Sequence, residues 1–419
     1  MPPSFGSPAS LRGREMDELR ILVVQAESLG AIAVIRSLGR AGHLVHAAAT
    51  NPNALGLRSK LASAAVVCPE YLDEGFVPWL RAYVRAHRID AIIPSEGFLL
   101  GLGEARREFL GLCPFAREEL ILPSLSKYDL FERLIAQGAP HLPPTLLVPS
   151  LERLPSLAEL DRLGTPLHVK VDGSHALDGS GGVTRRAGSA AEALELLAGF
   201  RASFSRALVQ GDVPGQGVGA FFLHPGNGEI TAEFMHRRLH EVPWTGGVSA
   251  LRESWRHPAI LADARAKLLA SGWEGVAMME YRWDPATNGF AFIEMNSRFW
   301  GSLHLALFAG VDFPRLLIDR WRGAAVHGPR AWPRVRSRQL VLEIRHVWSK
   351  LKSSEFSSRE KGHALLELLQ STLDPRVRND LLFPGDRALF WRSLRRFART
   401  LRTALNGRRL AQLKQRLAA

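Results

Sequence analysis

The stretch FIEMNSRFWGS, residues 292–302, places Glu294, Asn296 and Arg298 at every second position. Its first residues are mostly apolar, which is typical of a buried strand, and alternate side chains of a strand share one face. A carboxylate inside such a strand is costly unless a cation or a metal ion compensates its charge. Arg298 on the same face is suited to a transferring phosphoryl group.

A second stretch, MMEYRWD at residues 278–284, also ends an apolar strand in a carboxylate, Glu280. Carboxylates on two adjacent strands, with the amide oxygen of the first stretch beside them, form a hard-oxygen site that suits Mg²⁺ bridging phosphates. The alternative is a structural role, in which Glu294 forms a salt bridge with Arg298 or Arg282. The sequence leaves both interpretations open.

Upstream, a lysine and a glycine-rich loop fit a phosphate-bearing ligand. Lys170 ends the strand-like run LHVK, and the loop GSGGV at residues 179–183 begins nine residues later. Unhindered backbone N–H groups of such a loop can close over anionic oxygens while the ammonium supplies charge. An ordinary surface loop is the alternative.

The run VQGDVPGQG at residues 209–217 leaves a strand through a proline- and glycine-rich turn. We expect an exposed strand edge here, which would offer backbone N–H and C=O groups to a purine ring, with Val213 against the face of the ring. An ordinary turn is again the alternative.

Charge and composition narrow the functional classes. The chain has 419 residues, 46% of them apolar, and a net charge of +13. Residues 331–419 hold 20 basic and 7 acidic side chains, so the whole excess lies there and residues 1–330 are neutral. We therefore expect no nucleic-acid binding by the body of the protein.

Cysteine content and hydropathy predict the compartment. Cys68 and Cys113 give neither a disulfide framework nor zinc-ligand spacing, so we expect two unpaired, buried thiols in a reducing interior. The sequence shows no stretch of about 18 uncharged apolar residues and no signal-peptide core. A cytoplasmic location is the simplest expectation.

The first region alternates strands and helices. Strands are predicted at 20–26, 44–49, 64–68 and 90–94, and helices at 29–38 and 76–87. This alternation predicts a doubly wound α/β domain with a mainly parallel sheet. No G-x-G-x-x-G follows the first strand, so a dinucleotide site is not expected.

From about residue 120 the pattern changes. Residues 127–137 predict an amphipathic helix, and the strand-like runs that follow predict antiparallel sheets with helices on one side, an α+β layout. The predicted organisation is a flexible N-terminus at 1–18, a Rossmann-like domain at 19–122, a central domain at 123–325 divided at about 210/211, and a basic, mostly helical extension at 326–419.

In the extension, residues 389–405 place Phe390, Leu394, Phe397 and Leu401 at helical spacing, with arginines on the other faces. A basic amphipathic helix can lie on an anionic membrane or a partner protein. The alternative is a terminal helix that docks its narrow apolar stripe on the protein's own body. A homodimer is a further option that the sequence leaves open.

The order of these features, Lys, Lys, a Gly-rich loop, a hinge strand, Glu and then Glu-x-Asn-x-Arg, resembles the ATP-grasp superfamily. The chain looks like the carboxylate–amine ligases whose ATP-grasp region is similar to the carbamoyl-phosphate synthase large chain. The resemblance covers about residues 20–325 and is most specific at 236–254 and 293–314. It implies a Rossmann-like domain, a small ATP-grasp subdomain and a larger α+β subdomain, with ATP between the last two.

The resemblance also implies roles for individual residues. The ATP-binding residues would be Lys127, Lys170, Gly179, Ser180, Gly181, Gly182, Gln210, Gly211 and Val213. The ligands of two Mg²⁺ or Mn²⁺ ions would be Glu280, Glu294 and Asn296. The cations that stabilise the transferred phosphoryl group would be Arg298 and Lys170. The substrate-binding residues would be Arg238, which is suited to a carboxylate, and Thr245, Gly246 and Gly247.

The implied activity is an ATP- and Mg-dependent ligase that joins a small-molecule carboxylate to an amine through an acylphosphate, releasing ADP and phosphate. Three positions depart from the family pattern: Val171 and Ser297 stand where Pro is common, and Gly211 stands where the hinge usually carries Glu. The last departure removes a usual adenine contact. The alternative function is an ATP-binding protein without ligase turnover, tethered to an anionic surface by its basic helix.

Overall fold

The computed structural model describes residues 18–114, 117–179, 181–226, 228–244 and 246–418, with side chains up to residue 403. The N-terminal part contains β1 (Arg20–Val23), α1 (Leu29–Arg40), β2 (Leu44–Ala49), β3 (Ala64–Val67), α2 (Phe76–His87), β4 (Ala91–Ile93), α3 (Glu96–Gly101) and α4 (Arg106–Phe109). Its four strands pair in parallel in the order β3-β2-β1-β4. The predicted parallel sheet is confirmed.

This sheet is covered on both faces, as parallel sheets usually are. Ile21, Leu22 and Val23 of β1 are all fully buried, and alternate residues of the strand pack into two different apolar clusters.

The two cysteines are buried and unpaired, as predicted. Burial raises the pKa of the Cys68 thiol to about 11 and that of Cys113 to about 12.

The next part contains α5 (Glu118–Leu125), α6 (Lys127–Ala136), β5 (Thr145–Val148), α7 (Leu157–Asp161), β6 (Leu167–Val171), β7 (Val183–Ala187), α8 (Ala190–Phe200) and β8 (Ala207–Gly211). The strands form an antiparallel sheet in the order β5-β8-β6-β7. Helices α7 and α8 contribute to the apolar cluster on one face of it, which confirms the predicted antiparallel layout. The predicted boundary at 122/123 falls inside α5.

A larger sheet follows, with β9 (Gln216–His224), β10 (Ala232–Val242), β11 (Val248–Ser254), α9 (Pro258–Ser271), β12 (Gly275–Trp283), β13 (Phe290–Asn296), α10 (Leu303–Phe308) and α11 (Phe313–Trp321). Its strand order is β13-β12-β9-β10-β11-β14-β15. One face packs with α6 and α9. The other face shares a core with α1, α10, α11 and the N-terminal sheet. Helices therefore pack on both faces, and the prediction of helices on one side is wrong for this sheet.

The last two strands of that sheet belong to the segment expected to be a separate extension. It contains β14 (Arg336–Arg338), α12 (Leu340–Lys352), α13 (Ser358–Leu373), β15 (Val377–Asn379) and α14 (Ala388–Ala418). The segment is also joined to the body by two ion pairs whose side chains are fully buried, Arg36 with Asp386 and Arg252 with Asp380. It is therefore built into the fold.

The predicted basic helix corresponds to the first part of α14. Leu389 and Phe390 pack with Ile32 of α1, so the first turn docks on the body, whereas Leu401 is exposed. Within the described residues, no helix is both long and apolar enough to cross a lipid bilayer.

Candidate active site

Two carboxylates face each other on neighbouring strands of the large sheet. Strands β12 and β13 are antiparallel, and their register pairs Glu280 directly with Glu294. Like charges in directly opposed positions destabilise a sheet unless something compensates them. The site is therefore defined by the cations that surround this pair.

Lys127 compensates the charge of Glu294. It is the first residue of α6, and its Nζ lies 3.5 Å from Oε2 of Glu294. This contact raises the pKa of Lys127. Although burial alone would raise the pKa of Glu294, Lys127 and Lys170 lower it to about 2. The salt bridges of Glu294 with Arg298 or Arg282, the structural alternative, are not formed.

The start of α6 explains why Lys127 lies there. The Ser126 side chain caps the helix by accepting from the backbone N–H of Asp129. Asp172, which directly follows β6, accepts from the backbone N–H of Tyr128 at 2.8 Å and from Ser126 Oγ at 3.1 Å. A carboxylate is favourable at a helix N-terminus, so Asp172 attaches α6 to the small sheet beside Lys170.

Arg238 compensates the charge of Glu280. Its Nη1 lies 2.7 Å from Oε1 of Glu280 and 3.0 Å from Oε1 of Glu241, and it also donates to the backbone oxygen of Gly247. Burial and the neighbouring Glu294 raise the pKa of Glu280, while Arg238 opposes that rise. The guanidinium predicted to bind a substrate carboxylate is thus engaged with a carboxylate of the protein.

Asn296 ends β13, and Arg298 follows two residues beyond it. Asn296 Nδ2 donates to Glu294 at 2.9 Å, and Arg298 Nη2 donates to Asn296 Oδ1 at 3.3 Å. Arg298 Nε lies 3.7 Å from Oε2 of Glu96, at the start of α3 in the N-terminal domain. Arg298 therefore connects the carboxylate pair with the N-terminal domain.

The donor set is compatible with Mg²⁺. Among the described residues, no group of three or more His, Cys, Asp and Glu side chains is arranged to hold a metal ion. The candidate donors at this site are two carboxylates and one amide oxygen. Mg²⁺ is commonly bound through one or two carboxylates and completes its shell with substrate phosphates and water. Glu280, Glu294 and Asn296 fit an ion that arrives with a nucleotide.

Lys170 lies on the small sheet, opposite the carboxylates. Only 6% of the residue is exposed, and its Nζ donates to Oε1 of Gln210 at 2.5 Å. Burial lowers the pKa of Lys170 to about 8. An anionic ligand at Nζ would favour the charged form and raise this pKa, which makes this lysine a suitable phosphate contact.

The expected free strand edge at 209–217 is wrong for its first residues. Strand β8 lies inside the small sheet between β5 and β6, and the backbone N–H groups of Gly211 and Asp212 donate to Pro144 and Pro166. Of the three predicted adenine contacts, Gln210 and Gly211 lie within β8, and Val213 lies beyond the paired residues. The glycine has a packing reason, because a Cβ at position 211 would lie 2.2 Å from the backbone oxygen of Leu163.

The glycine-rich loop connects β6 and β7. Gly181 and Arg298 line a cavity of about 340 Å³ together with residues of the N-terminal domain, among them Gln25, Ser28 and Glu96. The loop thus reaches from the small sheet to the N-terminal domain. Ser180 and Thr245 lie outside the described residues.

Gly246 and Gly247 have φ values of +126° and +151°, which non-glycine residues rarely adopt. These values explain the glycine pair beside Arg238.

Sequence reasoning missed Glu96, Asp172 and Glu241. A signal existed for Glu96, since it follows β4 at the carboxyl edge of a parallel sheet, where ligands of such sheets bind.

No family model matches the chain, and no curated protein is detectably similar to it in sequence. Solved structures are similar. An N5-carboxyaminoimidazole synthetase from Staphylococcus aureus superposes with a TM-score of 0.59 at 15% identity, over 81% of this chain and 87% of that one. A biotin carboxylase from Campylobacter jejuni in complex with β,γ-ATP gives 0.57 at 17%, over 76% and 74%.

An L-amino acid ligase from Bacillus licheniformis gives a TM-score of 0.53 at 14% identity, over 75% of this chain and 76% of that one. The chain has the ATP-grasp fold. At these identities the likeness establishes the ATP-grasp fold alone. The assignment of an activity depends on the residues of the cleft.

Proposed function

We propose that the protein is an ATP- and Mg-dependent ligase that joins a small-molecule carboxylate to an amine through an acylphosphate, in the cytoplasm. One observation carries the proposal: the opposed carboxylates Glu280 and Glu294 lie near Lys127 of α6 and Lys170 of β6. Arg298 donates to the neighbouring Asn296. Such a set serves phosphoryl transfer, where catalysis is mainly positioning and charge compensation.

The proposed reaction has two steps. A substrate carboxylate oxygen attacks the γ-phosphorus of ATP, and ADP leaves with the electron pair of the broken P–O bond. The ammonium group of the second substrate loses a proton to water, and the resulting amine attacks the acyl carbon. Phosphate leaves with the electron pair of the broken C–O bond, and an amide remains once the nitrogen loses a second proton to water. Mg²⁺ held by Glu280, Glu294 and Asn296 would supply positive charge to the phosphates.

The chain's own residues would do the rest. Lys127 and Lys170 would bind phosphate oxygens, and Arg298 would compensate charge on the group in transfer. The loop at 179–182 would exclude water, which would otherwise hydrolyse the acylphosphate. No protein nucleophile is needed, because the substrate carboxylate performs the first attack.

The cavity beside Arg298 is the proposed place for the second substrate. It lies on the side of Arg298 that faces the N-terminal domain, and its wall includes the carboxylate of Glu96. A carboxylate there suits an incoming ammonium group. The amine would approach the acyl group from the N-terminal domain while the nucleotide occupies the opposite side.

The decisive experiment is an ADP-release screen of the purified protein with ATP and Mg²⁺ over amino acids, dipeptides and other carboxylate and amine pairs, with mass detection of ligated products. We expect ADP release that requires both substrates and a product lighter than their sum by one water. ATP-dependent thermal stabilisation without ADP release for any pair would contradict the ligase and favour the ATP-binding alternative. An interaction of α14 with an anionic surface, and a homodimer, stay predictions.

A further inference from the structure

A chain of contacts joins the C-terminal segment to the carboxylate of Glu280. His346 on α12 donates from Nδ1 to the backbone oxygen of Glu241 at 2.6 Å. The side chain of Glu241 accepts from Arg238 at 3.0 Å. Arg238 in turn lies 2.7 Å from Glu280. Three consecutive contacts thus lead from α12, in the C-terminal segment at 326–419, to the carboxylate pair.

An irregularity in β10 brings the side chains of Arg238 and Glu241 together. On a regular strand, side chains three positions apart point to opposite faces. The register of β10 against β11 shifts between Arg238 and His240 and again between His240 and Glu241. Bulges of this kind redirect side chains, and here Arg238 and Glu241 meet on one face. The carboxylate of Glu241 is also held by Arg282, whose Nη1 lies 3.0 Å from its other oxygen.

A glycine in β9 lets Arg238 reach its target. Strand β9 lies between β10 and β12, so the arginine must cross it to contact Glu280. A Cβ at Gly217 of β9 would lie 2.8 Å from Cδ of Arg238 and 2.7 Å from Oε1 of Glu241. Any larger residue at this position would push the pair away from Glu280.

The ring of His346 is held by one hydrogen bond and by stacking on a second histidine. It is buried, and it stacks on His240 with ring centroids 4.5 Å apart and an angle of 8° between the planes. Burial lowers the pKa of His346 to about 4, so the ring is neutral near pH 7 and its proton lies on Nδ1, where the carbonyl oxygen accepts it. Its Nε2 has no hydrogen-bond partner among the described residues.

The helix that carries His346 is itself firmly attached. Glu343, one turn earlier on α12, is fully buried and accepts from Arg338 of β14 at 3.1 Å and from Ser371 of α13 at 2.7 Å. The position of α12 is therefore set by the same strand that extends the large sheet. A displacement of α12 would move the backbone of Glu241.

We propose that His346 and Glu241 are positioning residues through which the C-terminal segment holds Glu280 in place for metal binding. The inference rests on the proposed function, since it takes Glu280 as a metal ligand. Without this support, the repulsion between Glu280 and Glu294 would turn the first carboxylate away from the second, and the ion would lose one of its donors.

The test uses the full-length protein, Mn²⁺ as the paramagnetic probe, and a non-hydrolysable ATP analogue. Free Mn²⁺ is measured by electron paramagnetic resonance. His346→Phe keeps the stacked ring and removes the donor, and we expect Mn²⁺ affinity to fall about tenfold, the lower end for residues that orient metal ligands. His346→Asn keeps an N–H donor near Nδ1 and is expected to restore most of the affinity.

Two controls separate positioning from general damage. His363→Phe changes a histidine of α13 whose side chain is 67% exposed, and it should leave Mn²⁺ affinity unchanged. The affinity for the ATP analogue in EDTA should be equal in wild type and in the two His346 variants, because positioning of Glu280 does not bear on metal-free nucleotide binding.

Unchanged Mn²⁺ affinity in a folded His346→Phe variant would overturn the inference. Should that variant not fold, Glu241→Gln provides the second test, because it keeps the backbone oxygen for His346 and removes the charge that holds Arg238; unchanged affinity there would also overturn it. If wild type itself binds no Mn²⁺ with the nucleotide, the metal assignment of the proposed function fails as well. If wild type binds Mn²⁺ and the variants bind it equally well, only this inference fails and the proposed function stands.

Discussion

Glu280 and Glu294 lie directly opposite each other on β12 and β13, and each carboxylate has a cation from a different element. Arg238 reaches the first from the same sheet, and Lys127 reaches the second from the start of α6. The carboxylate pair is therefore compensated only when α6 is packed against the large sheet. The site is a product of that packing.

Glu294→Gln removes a proposed metal ligand and the partner of Lys127. We expect ADP formation to fall at least about hundredfold, as for the loss of a main electrostatic contact to the reacting group, while the circular dichroism spectrum stays that of wild type. Glu355→Gln, at an exposed position, is the matched control and should retain full activity. Undiminished turnover of the Glu294 variant would refute the metal assignment.

The lowered pKa of Lys170 predicts how nucleotide binding depends on pH. Phosphate binding favours the charged ammonium, whose pKa in the free protein is about 8, so ATP binding above that pH takes up a proton. The affinity should fall above pH 8, by up to about tenfold per pH unit. Calorimetric titrations from pH 7 to 9.5, in buffers of different ionisation enthalpy, would measure both effects. A pH-independent affinity would contradict the role of Lys170.

The lowered pKa of Lys170 also affects stability: the free energy of unfolding should rise with pH, whereas the affinity for ATP should fall. Between about pH 8 and the ordinary value of 10.5, the unfolded chain holds the Lys170 proton more tightly than the folded protein does. Protons bound by the unfolded state make the free energy of unfolding rise with pH. In Lys170→Met this contribution to the rise should disappear from thermal unfolding curves recorded across the window.

Gly211 is predicted to be required for packing. In Gly211→Ala the new Cβ would meet the backbone oxygen of Leu163 at 2.2 Å, and overpacking of this kind costs about 1–3 kcal/mol. The apparent midpoint of thermal unfolding should therefore fall. Gly199→Ala is the control, because this helical glycine has open space around it and alanine should stabilise the helix by about 0.5–1 kcal/mol. Equal midpoints for the two variants would reject the explanation.

The buried ion pair of Arg36 and Asp386 predicts that removing one partner lowers the free energy of unfolding strongly. The two side chains are fully buried and 2.9 Å apart, so Asp386→Ala leaves an unpaired buried guanidinium, at a cost of about 3–5 kcal/mol. Arg36→Leu combined with Asp386→Leu should lose less, which a urea titration would show. Arg376→Ala breaks an exposed pair with Asp374 and should leave the midpoint unchanged. A mild effect of Asp386→Ala would mean that water reaches the guanidinium.

Local patterns in the sequence predicted much of the fold. The helix predicted at 76–87 has those bounds, and the helix predicted at 127–137 ends one residue earlier. The alternation of residues 292–296 predicted a strand there, and β13 ends at Asn296, because a period of two is a local property. Arg298, expected on the same strand, lies two residues beyond its end. The free edge at Gly211 was wrong because strand neighbours are set by the tertiary fold.

The partners of the site residues were less accessible to sequence reasoning. Glu241 contacts Arg238 only because β10 is irregular, and no residue pattern marks that bulge. Glu96 of α3 contacts Arg298, which lies about 200 residues later in the sequence. The net charge of the last part of the chain also gave no sign of its contacts with the body, since the buried Asp380 and Asp386 count in a composition like exposed carboxylates.

The contact of Arg36 with Asp386 spans 350 residues of sequence, which affects the order in which the protein can mature. A ribosome completes β1, α1 and the rest of the N-terminal sheet long before residue 386 is made. Until then the guanidinium of Arg36 lacks its partner, and burying it would be strongly unfavourable. We expect the nascent N-terminal part to keep α1 loosely packed and accessible to chaperones, and to close only after Asp386, which follows the last strand of the large sheet, has been synthesised.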